Sequence, residues 1–228
     1  MTRPVDIFTV IGRPASGKGT FTAAMNLWGS QRYVPLSVGD LARNEVDRGS
    51  AIGIRYKETI LGHGEPDETL AETIEKLVFD KLSEALVQGK GAVLDGYPKT
   101  VEQCKALDAF IEKNKLQGRV AFVLLEIEEQ EAILRMTSRT TCQKCGKIYS
   151  AQVLSNQCTE LGCDGIVSKR SDHGLKAPEA RIKGYDKKIE PVLEYYKNKN
   201  SLHKIDTNGT FDVCAEKFRE FYLQHQKV

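Results

Sequence analysis

Short apolar runs alternate along this chain with stretches in which apolar positions recur every three or four residues. Residues 5–11 are apolar apart from Asp6 and Thr9, which predicts a buried strand. A helix is predicted from Lys18 to Trp28, stopping before Gly29. Leu70, Ile74, Leu77, Val78, Leu82 and Leu86 keep a helical spacing, and Gly89 and Gly91 then punctuate the chain. Ala92, Val93 and Leu94 predict a short strand, followed by a helix over residues 101–111, an apolar run at 120–125 and a helix over 128–139. A long helix starts at Pro178, a short strand covers 202–205, and a helix over 213–222 ends the pattern. Strands alternating with helices imply an α/β fold, a parallel sheet covered by helices on both faces.

Two stretches break this rhythm. Residues 37–66 are helical but rich in charge and glycine, and from 142 to 172 the helical period disappears while turn residues multiply. The chain has no internal repeat, low-complexity tract or flexible linker, so both stretches read as insertions into one core. The expected division is a core of residues 1–36, 67–133 and 175–228, with inserts at 37–66 and 134–174.

Composition changes this picture only at the margins. With 33 basic and 31 acidic side chains the net charge is +2, too near neutrality for a protein that binds duplexes through a broadly basic surface, so no nucleic acid partner is expected. The chain of 228 residues is long enough to bury a full core without disulfides. No apolar run approaches the ~20 residues of a membrane span. Asp6 interrupts the start before any signal-peptide run develops, so the expected location is the cytoplasm, with no membrane partner. Six cysteines are too sparse for a secreted disulfide scaffold, yet Cys142, Cys145, Cys158 and Cys163 lie close together.

The first chemical motif is Gly12-Arg13-Pro14-Ala15-Ser16-Gly17-Lys18-Gly19-Thr20, between the first strand and first helix. Glycines let backbone N–H groups curl around a phosphate, the helix N-terminus adds positive potential, and Lys18 can reach a nucleotide's outer phosphates. The general pattern has Ser or Thr directly after the lysine, whereas here Gly19 intervenes before Thr20. Asp95 ends the strand Ala92-Val93-Leu94, where carboxyl ends of parallel strands gather at a ligand crevice, and can hold the waters around a nucleotide's magnesium ion.

With the phosphate loop, Leu36-Ser37-Val38-Gly39-Asp40-Leu41-Ala42-Arg43 and Leu94-Asp95-Gly96-Tyr97-Pro98-Lys99-Thr100 in this order, the chain resembles the adenylate kinase family. The resemblance continues through Leu134-Arg135, Arg139, the cysteine segment, Arg170 with Asp172, Arg181 and Pro191-Val192-Leu193-Glu194-Tyr195-Tyr196, covering nearly the whole chain. It implies a phosphate-loop kinase core, a helical insert binding a nucleoside monophosphate and a zinc-ribbon-like lid of the long type. The implied reaction is reversible phosphoryl transfer from ATP to AMP, with magnesium, giving two ADP, and the implied partners are small-molecule nucleotides bound by a monomer. The resemblance assigns Gly12, Ser16, Gly17, Lys18, Gly19 and Thr20 to the ATP phosphates and Arg135 to the ATP adenine. It places Arg139, Arg170 and Arg181 around the transferred phosphoryl group, held by Asp172, and puts Val38, Arg43, Gly96, Lys99 and Gln103, with Arg170 and Arg181, at the AMP site. Arginines suit this chemistry on physical grounds, since their planar forks grip phosphate oxygens at two points and stay charged.

Several positions depart from the family pattern. Ala15 replaces a common glycine, Val38 a frequent threonine and Lys99 an arginine, and the usual apolar pair before Pro66 is absent. All but Ala15 fall at the acceptor site, so a UMP or CMP kinase is the first competing reading, opposed by Gln103. A nucleotide switch or a zinc-ribbon nucleic-acid binder is the second. No Asn-Lys-x-Asp base-reading sequence occurs, Asn198-Lys199-Asn200-Ser201 lacking the aspartate, and the ribbon offers only Tyr149 for stacking.

Cys142-Gln143-Lys144-Cys145 with Cys158 and Cys163 forms C-x2-C-x12-C-x4-C, with Gly146 and Gly162 suited to the turns. Two thiolates from each pair can hold one tetrahedral ion, and structural zinc is expected over disulfides or free thiols because the compartment is expected to be reducing. Cys104 and Cys214 are expected in the core, and His63, His173, His203 and His225 lack metal spacing. Residues 134–174 hold six basic side chains (Arg135, Arg139, Lys144, Lys147, Lys169, Arg170) against three acidic ones (Glu160, Asp164, Asp172), a local +3 within a chain of +2.

Overall fold

A computed structural model describes residues 5–61, 68–145, 148–149, 156–169, 177–199 and 201–226. In chain order, β1 (Ile7–Gly12) leads into α1 (Lys18–Trp28), and β2 (Tyr33–Ser37) into α2 (Val38–Asp47), α3 (Ala51–Leu61) and α4 (Glu68–Val87). Next, β3 (Gly91–Asp95) leads into α5 (Val101–Lys113) and β4 (Val120–Glu126) into α6 (Glu129–Ser138). Three short strands follow, β5 (Thr140–Cys142), β6 (Ile148–Tyr149) and β7 (Val167–Lys169), before α7 (Pro178–Asn198), β8 (Leu202–Asp206) and α8 (Phe211–Gln226).

The main sheet has five strands in the order β2-β3-β1-β4-β8, all parallel. Every residue of β1 is buried because strands flank it on both sides and helices cover both faces. The two-residue period divides its side chains: Ile7 and Ile11 join a cluster with Leu82, Leu107, Phe122, Val192 and Tyr196, under α4, α5 and α7. Phe8 and Val10 join Phe21, Met25, Phe218 and Phe221, under α1 and α8. Phe122 stacks on Tyr196 at 3.9 Å, and Phe21 meets Phe218 edge to face at 5.1 Å. Burying each such ring contributes ~1.5–3 kcal/mol, and each good ring pair adds about 0.5–1.5 kcal/mol. Cys104 and Cys214 are buried, the latter donating to the Thr207 carbonyl at 3.2 Å.

One strand departs from the sequence reading. The pattern predicts no strand at residues 33–37, yet β2 pairs with β3 from Tyr33 to Ser37. Pro35 is tolerated because β2 is an edge strand, where the missing N–H costs no ladder bond. Tyr33 anchors it, buried and donating its hydroxyl to the Val5 carbonyl at 2.8 Å.

The first insert begins with α2, capped by the Ser37 hydroxyl, which accepts from the Asp40 N–H at 3.3 Å; Gly64 and Pro66 lie outside the described residues. In the second, β5 pairs antiparallel with both β6 and β7 around a small core of Cys142, Tyr149 and Val167. Among the described residues no helix is long and apolar enough to cross a membrane.

Candidate active site

The loop from Gly12 to Lys18 turns at the carboxyl end of β1. A Cβ on Gly12 would stand 2.5 Å from Ser16 Oγ and 2.7 Å from the Leu125 carbonyl oxygen, so only glycine fits there. Ser16 is fully buried, and its Oγ has no hydrogen-bond partner among the described residues. Gly17 (φ 92°) and Ala15 (φ 63°) both take left-handed backbone, so the alanine occupies a conformation that suits glycine. Gly19 and Thr20 follow in the first turn of α1, which has no side-chain cap and no acidic residue, leaving the positive end of the helix dipole uncompensated.

Lys18 Nζ donates to the carbonyls of Gly12 at 2.8 Å and Arg13 at 3.0 Å. Desolvation pushes the Lys18 pKa down to about 8, with Lys99, Arg139 and Arg181 lowering it further and Asp95 opposing them. These charges, read from the sequence as separate candidates, therefore all act electrostatically on one ammonium. Burial raises the Asp95 pKa, while Lys18, Lys99 and Arg43 pull it down and Asp40 pushes it up. Arg43 itself pairs with Asp40 at 2.5 Å. The ends of β1, β2 and β3 thus lead into Lys18, into Asp40 with Arg43, and into Asp95 with Lys99, with Asp95 last in β3 and Ser37 last in β2.

The remaining candidates are placed as follows. Gly96 (φ 76°) turns the chain towards the cis Tyr97–Pro98 bond. The Lys99 N–H donates to Gln103 Oε1 at 2.7 Å, and the Thr100 hydroxyl caps α5 by accepting from the Gln103 N–H at 3.3 Å. Val38 opens α2 and packs against the first core cluster. Arg135 Nε donates to Glu131 at 2.7 Å, and its Nη2 to the carbonyls of Thr207 and Gly209, each at 2.8 Å, which joins α6 to the loop after β8. Arg170, Asp172 and His173 lie outside the described residues.

Sequence reading missed Arg13. Its Nε and Nη2 donate to the two Asp186 oxygens at 2.9 and 2.8 Å, and its Nη1 to the Ile127 carbonyl at 2.9 Å. The partners lie 173 positions apart, so no local pattern links them.

Cys142, Cys145, Cys158 and Cys163 bring their sulfurs within 4.8 Å of one another. Four thiolates about 2.3 Å from one tetrahedral ion would stand roughly 3.8 Å apart. The Cys142–Cys163 and Cys145–Cys158 separations of 3.7 and 3.5 Å fit that figure. The N–H groups of Cys145 and Lys144 donate to Cys142 Sγ at 3.4 Å, and the first of these leads in lowering its pKa. Tyr149 Oη lies 3.1 Å from Cys158 Sγ and is the first cause of that thiol falling to about 7. Both shifts favour the thiolate that a metal requires, while the Cys163 thiol is raised; the sulfur geometry lets the cluster hold an ion with no position left open. Gly162 (φ 76°) turns the second pair, and Gly146 lies outside the described residues.

Comparison with known proteins places the chain in a family. A family model described as adenylate kinase matches residues 10–201. An adenylate kinase of Thermotoga neapolitana is 36% identical over 214 residues, spanning 90% of this chain and 92% of its own. Adenylate kinases of Clostridium tetani and Methanocella arvoryzae are similar at 34% over 203 residues and 33% over 212, covering 86% and 90% of this chain and 89% and 93% of their own.

Proposed function

The chain belongs to the adenylate kinase family, and from that premise we propose that it transfers the terminal phosphoryl group of ATP to AMP, reversibly, giving two ADP. The observation that supports this reading is Lys18, held in a glycine-turned loop at a helix N-terminus and within electrostatic reach of Asp95, Lys99, Arg139 and Arg181. In this scheme Gly12, Ser16, Gly17, Gly19 and Thr20 cradle the ATP phosphates and Arg135 flanks the ATP base, while Val38, Arg43, Gly96, Lys99 and Gln103 receive AMP.

Phosphoryl transfer asks little covalent work of a protein, so alignment and charge stabilisation carry the catalysis. Lys18 and Arg139, Arg170 and Arg181 spread positive charge over the migrating group, and no side-chain base is required. Asp95 would hold magnesium through its waters, and that ion, bound with ATP, supplies further neutralisation of phosphate charge. The four cysteines would hold zinc as a structural ion that stiffens residues 134–174. That segment closes as a lid and excludes water which would otherwise take the phosphoryl group. Residues 37–66 present the monophosphate, and the chain works as a cytoplasmic monomer on small-molecule nucleotides.

Lys99 favours a second reading, a UMP or CMP acceptor, because its point charge lacks the arginine fork expected at the monophosphate's phosphate. A panel of monophosphates in a coupled ADP-release assay separates the two. AMP should turn over fastest, and a faster rate with UMP or CMP would overturn the choice. Lys18→Ala should lose about 10²–10³ in turnover while keeping its circular dichroism, as for removal of one preorganised charge donor; near-normal turnover would contradict the donor-site assignment.

A further inference from the structure

Resting on the phosphate loop as donor site, we propose that Arg13 is a positioning residue: through Asp186 and Ile127 it fixes where Lys18 stands relative to Arg139 and Arg181. Three segments meet on this one residue. Its guanidinium grips the Asp186 carboxylate with two parallel bonds of 2.9 and 2.8 Å, and Asp186 lies on α7, the helix that carries Arg181. Its remaining arm bonds the Ile127 carbonyl at 2.9 Å, in the link from β4 to α6, the helix whose C-cap is Arg139. Its backbone carbonyl accepts the Lys18 ammonium at 3.0 Å.

The Arg13 and Asp186 side chains are 29% and 39% exposed, where solvent screening keeps an ion pair's contribution to folding modest even with a bidentate fork, so stability alone does not account for the arrangement. A bidentate fork does fix distance and plane, which a lysine's point charge cannot do. Catalysis by alignment is sensitive to this, since a shift of about 1 Å can cost on the order of a hundredfold in rate.

Kinetics of full-length Arg13→Ala, Arg13→Lys, Asp186→Asn and the Arg13→Ala/Asp186→Asn double variant test the proposal, with both nucleotides varied. Each alanine or asparagine change should lower kcat roughly ten- to a hundredfold. KM for the monophosphate should stay unchanged, and the double variant should be no worse than the poorer single one. Arg13→Lys should recover only part of the rate, and melting temperatures should fall by less than about 4 °C. Wild-type kcat in the single variants, losses that multiply in the double variant, or a lowered melting temperature with kcat intact would overturn it. Should Arg13→Ala fail to fold, Asp186→Asn on the helix surface decides by the same criteria. A wild-type chain that phosphorylates no monophosphate would instead defeat the functional reading alone. The positioning role is then judged by NMR titration of the Lys18 Cε signal: a midpoint moved in Asp186→Asn supports it and an unmoved one overturns it.

Discussion

Lys18 titrates inside the range where enzymes are assayed, and its sign can be worked out. Desolvation leads in holding its pKa near 8 against an ordinary 10.5. Below about 8 the ammonium carries the charge that, in the proposed donor site, would draw the ATP phosphates, and above it the charge is lost. Since kcat/KM reports groups of the free enzyme, its value for magnesium ATP should fall about tenfold per pH unit above that point. A pH–rate profile checks this, and a limb that begins only near the ordinary lysine value would refute the desolvated environment. Because Arg139 is among the groups depressing Lys18, Arg139→Ala should move the limb to higher pH. The loop's other notable residue is Ala15, whose φ of 63° strains an L side chain. Ala15→Gly relieves that strain but frees the unfolded chain, a net gain of about 0.5–1 kcal/mol in urea denaturation.

At the scale of elements, the short strands of the second insert are the part least able to stand alone. β5 and β7 have three residues each and β6 two, and their shared buried core is Cys142, Tyr149 and Val167. The apolar area buried among the described residues is too small to hold such a sheet in water, so an ion on the four thiolates, as proposed, would be the main source of order there. Stripping metal with a chelator should cost several kcal/mol, roughly 10 °C in melting temperature by calorimetry. Equal melting temperatures for loaded and stripped protein would contradict a structural ion. The same brevity explains what the sequence left illegible. α4 announces itself by a long apolar stripe and α1 and α4 by glycine stops, whereas β5, β6 and β7 are too short to alternate. β2 hides because Pro35 interrupts five residues that otherwise suit a strand. The thiol spacing was legible since both pairs are local, while Arg13 and Asp186 meet only because α7 returns to the phosphate loop after most of the chain has passed.

For the whole molecule, strand alternation implied a parallel sheet, but the order β2-β3-β1-β4-β8 came from packing and is what sets where the proposed site lies. From β1 the chain crosses outward to β2, returns through β3, then passes to β4 and β8 on the opposite side. Loops leaving β1 and β4 therefore diverge, and in sheets of this topology ligands bind at the carboxyl ends where such loops part. The phosphate loop leaves β1 at this point and Asp95 ends the neighbouring β3, with Ser37 and Val38 further out on that side and Arg135 and Thr207 on the other. Two nucleotides entering from opposite sides would meet there phosphate to phosphate. A dinucleotide whose phosphate chain joins donor and acceptor then occupies both subsites at the entropy cost of one molecule, so it should bind far more tightly than ATP or AMP. At a hundredfold excess over its Kd it should add about 2.7 kcal/mol of stability, or roughly 5–10 °C in melting temperature for a chain of this size. ATP or AMP alone at that concentration should produce little shift. If ATP alone stabilises the protein as much as the linked compound, the second subsite does not adjoin the first, and the two-sided crevice is the wrong picture of how this fold brings its substrates together.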